Sequence, residues 1–297
     1  MKTLVVITGP TGAGKTAAAI EAAQWLHCDI INADSRQIYA EIPIGTAAPT
    51  PEQQAIVPHH FVGTKHLEDY YSAAQFEADV LRLLNDGLWH RGDYAVMCGG
   101  SMMYVDAVCN GIDELPTISD EVRLSVAEKY RNEGLDSVLE ELLTLDPAYY
   151  EQVDRNNFRR VIHAVEICRQ SGKPYSSLRT GTRKTREFRI IKLGLNMERE
   201  ELFSRINSRV DEMIALGLEQ EARSVYHKRE LNSLNTVGFK EMFAYFDGTM
   251  DFVTARERIK KNTRVYAKKQ LTWFAKDPDI EWCTPYGLLK RVKERCE

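Results

Sequence analysis

Leu4-Val5-Val6-Ile7-Thr8-Gly9-Pro10-Thr11-Gly12-Ala13-Gly14-Lys15-Thr16-Ala17-Ala18-Ala19-Ile20 reads as strand, glycine loop and helix in that order. The apolar run suits a strand buried on both faces, and the alanine-rich stretch after it is helix-forming. Between them, Gly9, Pro10, Thr11, Gly12, Ala13, Gly14, Lys15 and Thr16 form a P-loop, whose backbone N–H groups and positive helix end cradle phosphate oxygens. Lys15 supplies a point charge, and the Thr16 hydroxyl is placed to ligate Mg²⁺. The loop alone does not say whether its phosphate belongs to a nucleotide.

The pattern outward from this stretch is an alternation. Strands are predicted at 3–8, 29–33 and 94–98, with helical periodicity over 16–26 and 72–89. Such alternation predicts a parallel sheet with crossover helices. After Gly111 the character changes: 116–120 reads as a turn and helix start, with helical periodicity through 130, then over 135–145 and 157–169, the last stopped by Gly172 and Pro174. A strand pattern then returns at 188–195, and the remainder reads as helical over 198–216, 218–228, 240–246 and 254–274. The expected fold is therefore α/β: a P-loop NTPase-like parallel sheet core with a mostly helical insertion domain and a helical C-terminal part. Its expected boundaries are 1–112 for the first part of the core, 113–185 for the insertion and 186–297 for the core continuation.

The 297 residues, 43% hydrophobic and 28% charged, describe an ordinary globular protein large enough for a substantial core. No apolar run reaches membrane-spanning length and no secretory signal pattern is found. The six cysteines form no C-x-x-C pair, so reduced thiols and a cytoplasmic location are expected. Nothing points to an oligomer, and a monomer is expected. The net charge of −4 is unevenly spread: between residues 155 and 189, Lys and Arg face only Glu166 and Glu187, and between 256 and 269 only Glu257. Local basic stretches can bind a phosphate backbone within an acidic protein; they can equally be solvated helix faces.

Several residues could carry chemistry. Asp34 follows the second predicted strand, where open α/β sheets place their ligands. It could be a metal ligand, a general base or a helix cap. Gly99-Gly100-Ser101 ends the third strand, where glycines permit close approach of a ligand or form a tight turn. Arg205 and Arg209 share one helix face, either as surface charge or to neutralise a diphosphate. His59-His60 has no third ligand at zinc spacing and reads as structural. Tyr266, Trp273 and Phe274 could stack on bases or pack a core.

Taken together, these pieces resemble the tRNA dimethylallyltransferases, also called tRNA isopentenyltransferases. Beside the P-loop, the matching segments are Asp34-Ser35-Arg36-Gln37-Ile38-Tyr39, Ile44-Gly45-Thr46-Ala47, His59-His60, Tyr71-Ser72-Ala73, Gly99-Gly100-Ser101-Met102-Met103-Tyr104, Arg159-Arg160 with Ala164-Val165-Glu166, Val237-Gly238-Phe239-Lys240-Glu241, and residues 263–274, which end in Lys269-Gln270-Leu271-Thr272-Trp273-Phe274. The resemblance implies transfer of a dimethylallyl group from dimethylallyl diphosphate to N6 of adenosine 37 in tRNA, with the target base flipped out of its stack. It implies that Lys15, the loop amides, Arg209 and Thr16 with Mg²⁺ hold the diphosphate. Asp34 would be the base, and Ser101 would position the amine or a phosphate oxygen. Asp34, Ser35, Arg36, Gln37, Ser101, Arg123, Arg159, Arg160 and His163 are the implied tRNA contacts. Ser101 stands where the family generally has Thr, His163 where Arg is common, and Ala48 where Lys is common. None of these departures removes a catalytic group. A P-loop small-molecule kinase using ATP and a non-catalytic RNA-binding protein are the alternatives.

Overall fold

The computed structural model describes residues 1–113 and 115–297. Among these, six strands form one sheet in the order β3-β2-β4-β1-β5-β6. They are β1 (Thr3–Thr8), β2 (Ile30–Asn32), β3 (His59–His60), β4 (Tyr94–Cys98), β5 (Arg189–Leu195) and β6 (Ile280–Cys283), and every neighbouring pair is parallel. β1 is central because its side chains are apolar on both faces: Leu4, Val5, Val6 and Ile7 are all 0% exposed. Val5 pairs with Val96 on one side and Ile191 on the other. Val5 and Ile7 pack with Ala19 and Ala23 of the Lys15–Leu26 helix and with Leu202 and Ile206 of the Arg199–Ala215 helix. Leu4 and Val6 face Phe76, Val80 and Phe274 in the opposite layer. Burial of each such side chain stabilises by about 1.5–3 kcal/mol, so the centre of the sheet is the rigid platform for whatever sits at its end.

The sequence expectations fall close to these elements, with differences at the edges. The predicted strand at 29–33 is shortened to β2, and that at 188–195 starts one residue later. β3 and β6 were not anticipated, and β6 corrects the expectation that everything after 195 is helical. Both are short edge strands. β3 is two half-buried histidines, and β6 alternates a buried Ile280 with the charged Glu281, too brief a pattern to register as a strand. The predicted 72–89 helix is α-helical over Ala73–Leu83, opens to a π-turn at Leu84–Leu88 around Gly87, and closes at Trp89–Arg91. The segment predicted as helix over 218–228 is helix Leu218–Ser224 followed by a 3₁₀ turn at Tyr226–Lys228.

The chain divides into two compact units, Met1–Asn110 with Arg186–Glu297, and Gly111–Thr185. The second unit is helical. Its Asp120–Leu145 segment is broken at Gly134, where φ is 84°, which explains why the periodicity reads as two helices. Helices Pro147–Gln152 and Phe158–Ser171 complete a core of Val126, Val138, Leu142, Val161 and Val165. Asp146, almost fully buried, closes this unit: its carboxylate accepts from Tyr149 N (3.0 Å) and from the amide and hydroxyl of Ser176 (2.6 and 2.7 Å). Among the described residues no helix is long and apolar enough to cross a membrane.

Candidate functional site

Glycines set the phosphate loop at the carboxyl end of β1. Gly9 has φ 136°, and a Cβ there would lie 2.5 Å from the Leu195 carbonyl oxygen of β5, so no side chain fits. Gly14, at φ 84°, precedes the first turn of the Lys15–Leu26 helix and leaves the helix amides open toward the loop. Lys15 Nζ donates to the Pro10 carbonyl (2.8 Å), folding the cation inside its own loop. Burial lowers its pKa from 10.5 to about 8, with Arg209 adding to the effect and Cys98 and Asp34 opposing it. Arg209 reaches the loop from the Arg199–Ala215 helix and donates through Nη2 to Thr11 Oγ1. Its Nε is buried without a hydrogen-bond partner among the described residues. Burial also lowers the Arg209 pKa, against the attraction of Asp34 and Glu212. Arg209 is thus a half-buried cation in a crevice, whereas the sequence left surface charge open as its role.

Asp34 lies two residues beyond β2. Its Oδ1 accepts from the amides of Arg36 (2.9 Å) and Gln37 (3.4 Å), so one oxygen does serve as a cap. Among the described residues Oδ2 accepts no hydrogen bond, which leaves it available to a ligand. The turn that carries Asp34 is fastened from three directions. Ser101, 7% exposed, accepts from Ser35 N through Oγ (2.8 Å) and donates to Ser35 Oγ (3.1 Å). Gln37 Nε2 donates to the carbonyls of Thr46 and Ala47, both at 3.0 Å. Arg36 Nη1 donates to the carbonyls of Asn232 (2.9 Å) and Ser233 (3.0 Å). Ser101 therefore stands behind the turn and holds it.

Gln270 belongs to the site although its local sequence assigns it no role. Only 1% exposed, it accepts from Thr11 N (2.8 Å) and donates to the Gly100 carbonyl (2.8 Å), so it ties the phosphate loop to the turn after β4. Its signal in the sequence is a polar residue at helical spacing between the core positions Ala267 and Phe274. Tyr266 lines the site from the same helix, and its phenol is pushed up by burial, then by the Asp34 charge, so it stays a neutral donor. Trp273 instead donates to Asp106 Oδ2 (2.9 Å), and Phe274 is core. The histidine pair is structural: His60 Nε2 meets Asp29 Oδ2 (2.9 Å), and His59 Nδ1 meets the Val57 carbonyl (2.7 Å).

These residues surround two cavities. The one at the phosphate loop, called inner for that position, is about 450 Å³ and is lined by Gly12, Gly14, Lys15, Thr16, Gln37 and Cys98. The outer one, about 300 Å³, is lined by Arg36, Val210, Met213, Thr236, Lys240 and Ile259. Thr11, Asp34, Thr46, Arg209 and Tyr266 line both, so the two spaces meet at Asp34. One end is built for an anion, the junction offers a carboxylate, and the far end is mixed apolar and basic. Among the described residues no group of three His, Cys, Asp or Glu could hold a metal ion. The Thr16 hydroxyl beside the loop amides fits a Mg²⁺ whose other ligands are phosphate oxygens and water.

The remaining sequence candidates belong to the second unit. Arg159, Arg160 and His163 are exposed along the Phe158–Ser171 helix. Arg159 lies over the Phe158 ring (5.7 Å), and His163 meets Tyr175 edge-on (5.8 Å) and Glu166 at 3.8 Å. Arg123, half-buried, lies near the start of Asp120–Leu145.

A glycine loop closing on a helix N-terminus, with its lysine, at the carboxyl end of a parallel sheet defines a P-loop phosphate-binding protein. The chain belongs to the IPP transferase family, whose model matches residues 37–277. It is 56% identical over 285 residues to tRNA dimethylallyltransferase 2 of Parabacteroides distasonis, covering 96% of this chain and 95% of that protein. It is 55% identical over 284 residues to tRNA dimethylallyltransferase 1 of Bacteroides fragilis, covering 96% and 94%. Among solved structures, the tRNA isopentenylpyrophosphate transferase of Bacillus halodurans matches with a TM-score of 0.68 at 32% identity, covering 99% of each chain. A eukaryotic dimethylallyltransferase acting on tRNA matches with a TM-score of 0.81 at 26% identity, covering all of this chain and 77% of that one. Neither the kinase nor the non-catalytic alternative is favoured by these likenesses.

Proposed function

We propose that this chain transfers a dimethylallyl group from dimethylallyl diphosphate to N6 of adenosine 37 in tRNA, releasing diphosphate. The observation that carries the reading is Asp34 at the meeting point of the two cavities, one carboxylate oxygen fixed by backbone amides and the other without a partner. The donor's diphosphate occupies the loop, held by its amides, Lys15 and Arg209. The acceptor base enters from the outer cavity, so that its amine and the allylic carbon meet beside Asp34. The N6 lone pair forms the new bond to C1 as the C1–O bond breaks, and the electron pair leaves on the diphosphate. Asp34 Oδ2 takes the amine proton. Positive charge develops on the allylic carbon and negative charge on the leaving oxygens, so cations belong at the loop and an anion at the amine. Mg²⁺, bound through Thr16 and the diphosphate, would supply further charge neutralisation there.

Thr16 and the loop are fixed by the sheet, and the Asp34 turn by Ser101, Gln37 and Arg36, so both ends of the reaction are set in place before substrate arrives. Arg123, Arg159, Arg160 and His163 of the helical unit bind the anticodon stem-loop, and the protein works as a monomer in the cytoplasm. The test is transfer of label from dimethylallyl diphosphate to an anticodon stem-loop containing adenosine 37. Label moving only from the γ-phosphate of ATP to a small acceptor would refute the reading, as would tight RNA binding without turnover. Removing both arginines, Arg159→Ala with Arg160→Ala, is expected to weaken tRNA binding and to reduce the slope of log affinity against log salt by about 1–2, since each phosphate contact contributes about 0.7–0.9 to it. An unchanged slope would mean that these side chains do not meet the RNA backbone.

A further inference from the structure

Lys240 is a cation in an unfavourable place. It sits in the first turn of the Phe239–Phe246 helix, where the helix dipole repels positive charge. The adjacent Glu241 offers it no compensation. That carboxylate is buried and fully engaged, accepting from Gly238 N (2.8 Å) and from Asn262 Nδ2 (2.7 Å). Lys240 itself is exposed and lies in no ion pair among the described residues, yet it lines the outer cavity. Arg36 lines the same cavity, with Nη1 spent on two carbonyls and with Nε and Nη2 left without a protein partner among the described residues. Three cations, Arg36, Arg209 and Lys240, thus face a cavity whose lining contains one carboxylate, Asp34. The donor's diphosphate accounts for Arg209, which lines both cavities, but not for Arg36 and Lys240, because Lys15 and the loop residues Gly12, Gly14 and Thr16 line only the other cavity.

We propose that Lys240, with Arg36 of the same cavity lining, binds a phosphodiester that flanks the flipped adenosine. The inference rests on the reading of the outer cavity as the entrance for the acceptor base. A base cannot enter a cavity without bringing its own backbone phosphates to the rim. Guanidinium and ammonium groups are the side chains suited to meet them. Lys240 is then a binding residue for the acceptor and takes no part in the proton transfer.

The experiment replaces the linkages around the acceptor adenosine, one at a time, with uncharged methylphosphonates in an anticodon stem-loop. Second-order transfer rates are measured for the wild type, Lys240→Gln and Lys240→Arg. One charged hydrogen bond contributes about 1.5–3 kcal/mol, or roughly ten- to a hundred-fold. The wild type should therefore lose about ten-fold or more at one flanking linkage. Lys240→Gln should lose a similar factor on the all-phosphate RNA and show no further loss at that linkage, while Lys240→Arg retains most of the rate and of the sensitivity. The KM for dimethylallyl diphosphate should be the same in all three. If the two losses multiply, Lys240 does not meet that phosphate, and if Lys240→Gln instead raises the donor KM, the cation serves the diphosphate. Both results overturn the proposal. Failure of the wild type to modify any RNA would instead strike the function itself and is separately visible.

Discussion

Asp34→Asn is expected to lower the transfer rate about 10²- to 10⁴-fold, the range over which a positioned general base contributes. The substitution is chosen for what it keeps. An Asn side-chain oxygen can still accept from the amides of Arg36 and Gln37, so the turn that Oδ1 holds is retained. What is lost is the acceptor for the amine proton and the negative charge facing Lys15 and Arg209. The loss should fall on kcat, with donor KM and tRNA affinity near the wild-type values, because Asn keeps the size and shape of the side chain that lines both cavities. Asp34→Ala removes the cap as well, and it should add about 0.5–2 kcal/mol of destabilisation to the same loss of rate. Single-turnover rates on a stem-loop, with filter-binding affinities beside them, separate these effects. An Asn variant that turns over normally, or one that fails only because RNA no longer binds, would remove Asp34 from the reaction.

The parts of this site that were legible in the sequence are those fixed by local chemistry. The loop at Gly9, Gly12 and Gly14 needs positive φ, and glycine at a set spacing records that directly. Buried strands such as Val5-Val6-Ile7 announce themselves by uninterrupted apolar residues. Asp34 could be placed at a strand end, but its three readings could not be separated from position alone. The structure shows why: the same side chain caps a turn with one oxygen and leaves the other open, so cap and base are compatible. Long-range contacts were not legible. Gln270 lies 259 residues from Thr11, and no local pattern pairs them. Arg209 reads as an ordinary helix-surface arginine until the Arg199–Ala215 helix is packed against the loop. The edge strands β3 and β6 were missed because strands of two and four residues carry too little periodicity.

Lys15→Met should have the second large effect, with opposite consequences for binding and for stability. The amine is held inside the loop by the Pro10 carbonyl, and burial brings its pKa from 10.5 down to about 8. In the unliganded protein it is therefore charged below about pH 8 and neutral above. Donor binding needs the charged form, so affinity for dimethylallyl diphosphate should fall as pH rises through about 8 and be flat below it. Removing the ammonium should cost roughly ten- to a hundred-fold in donor affinity at pH 7, from the 1.5–3 kcal/mol of a charged hydrogen bond. A further loss in kcat is expected because charge grows on the departing oxygens. The stability of the empty protein moves the other way. Its folded-state pKa lies below the unfolded value, so the unfolded chain binds more protons between about pH 8 and 10.5. The contribution of this group is poorest below about pH 8 and improves as pH rises across that window. Lys15→Met should therefore melt higher than the wild type at pH 7 without ligand, with the gap narrowing toward pH 10, and melt lower once saturating diphosphate is added. Calorimetric titrations and thermal melts over the same pH series test both halves. A wild-type donor affinity that is level from pH 7 to pH 9.5 would show that the Lys15 charge is not what grips the diphosphate.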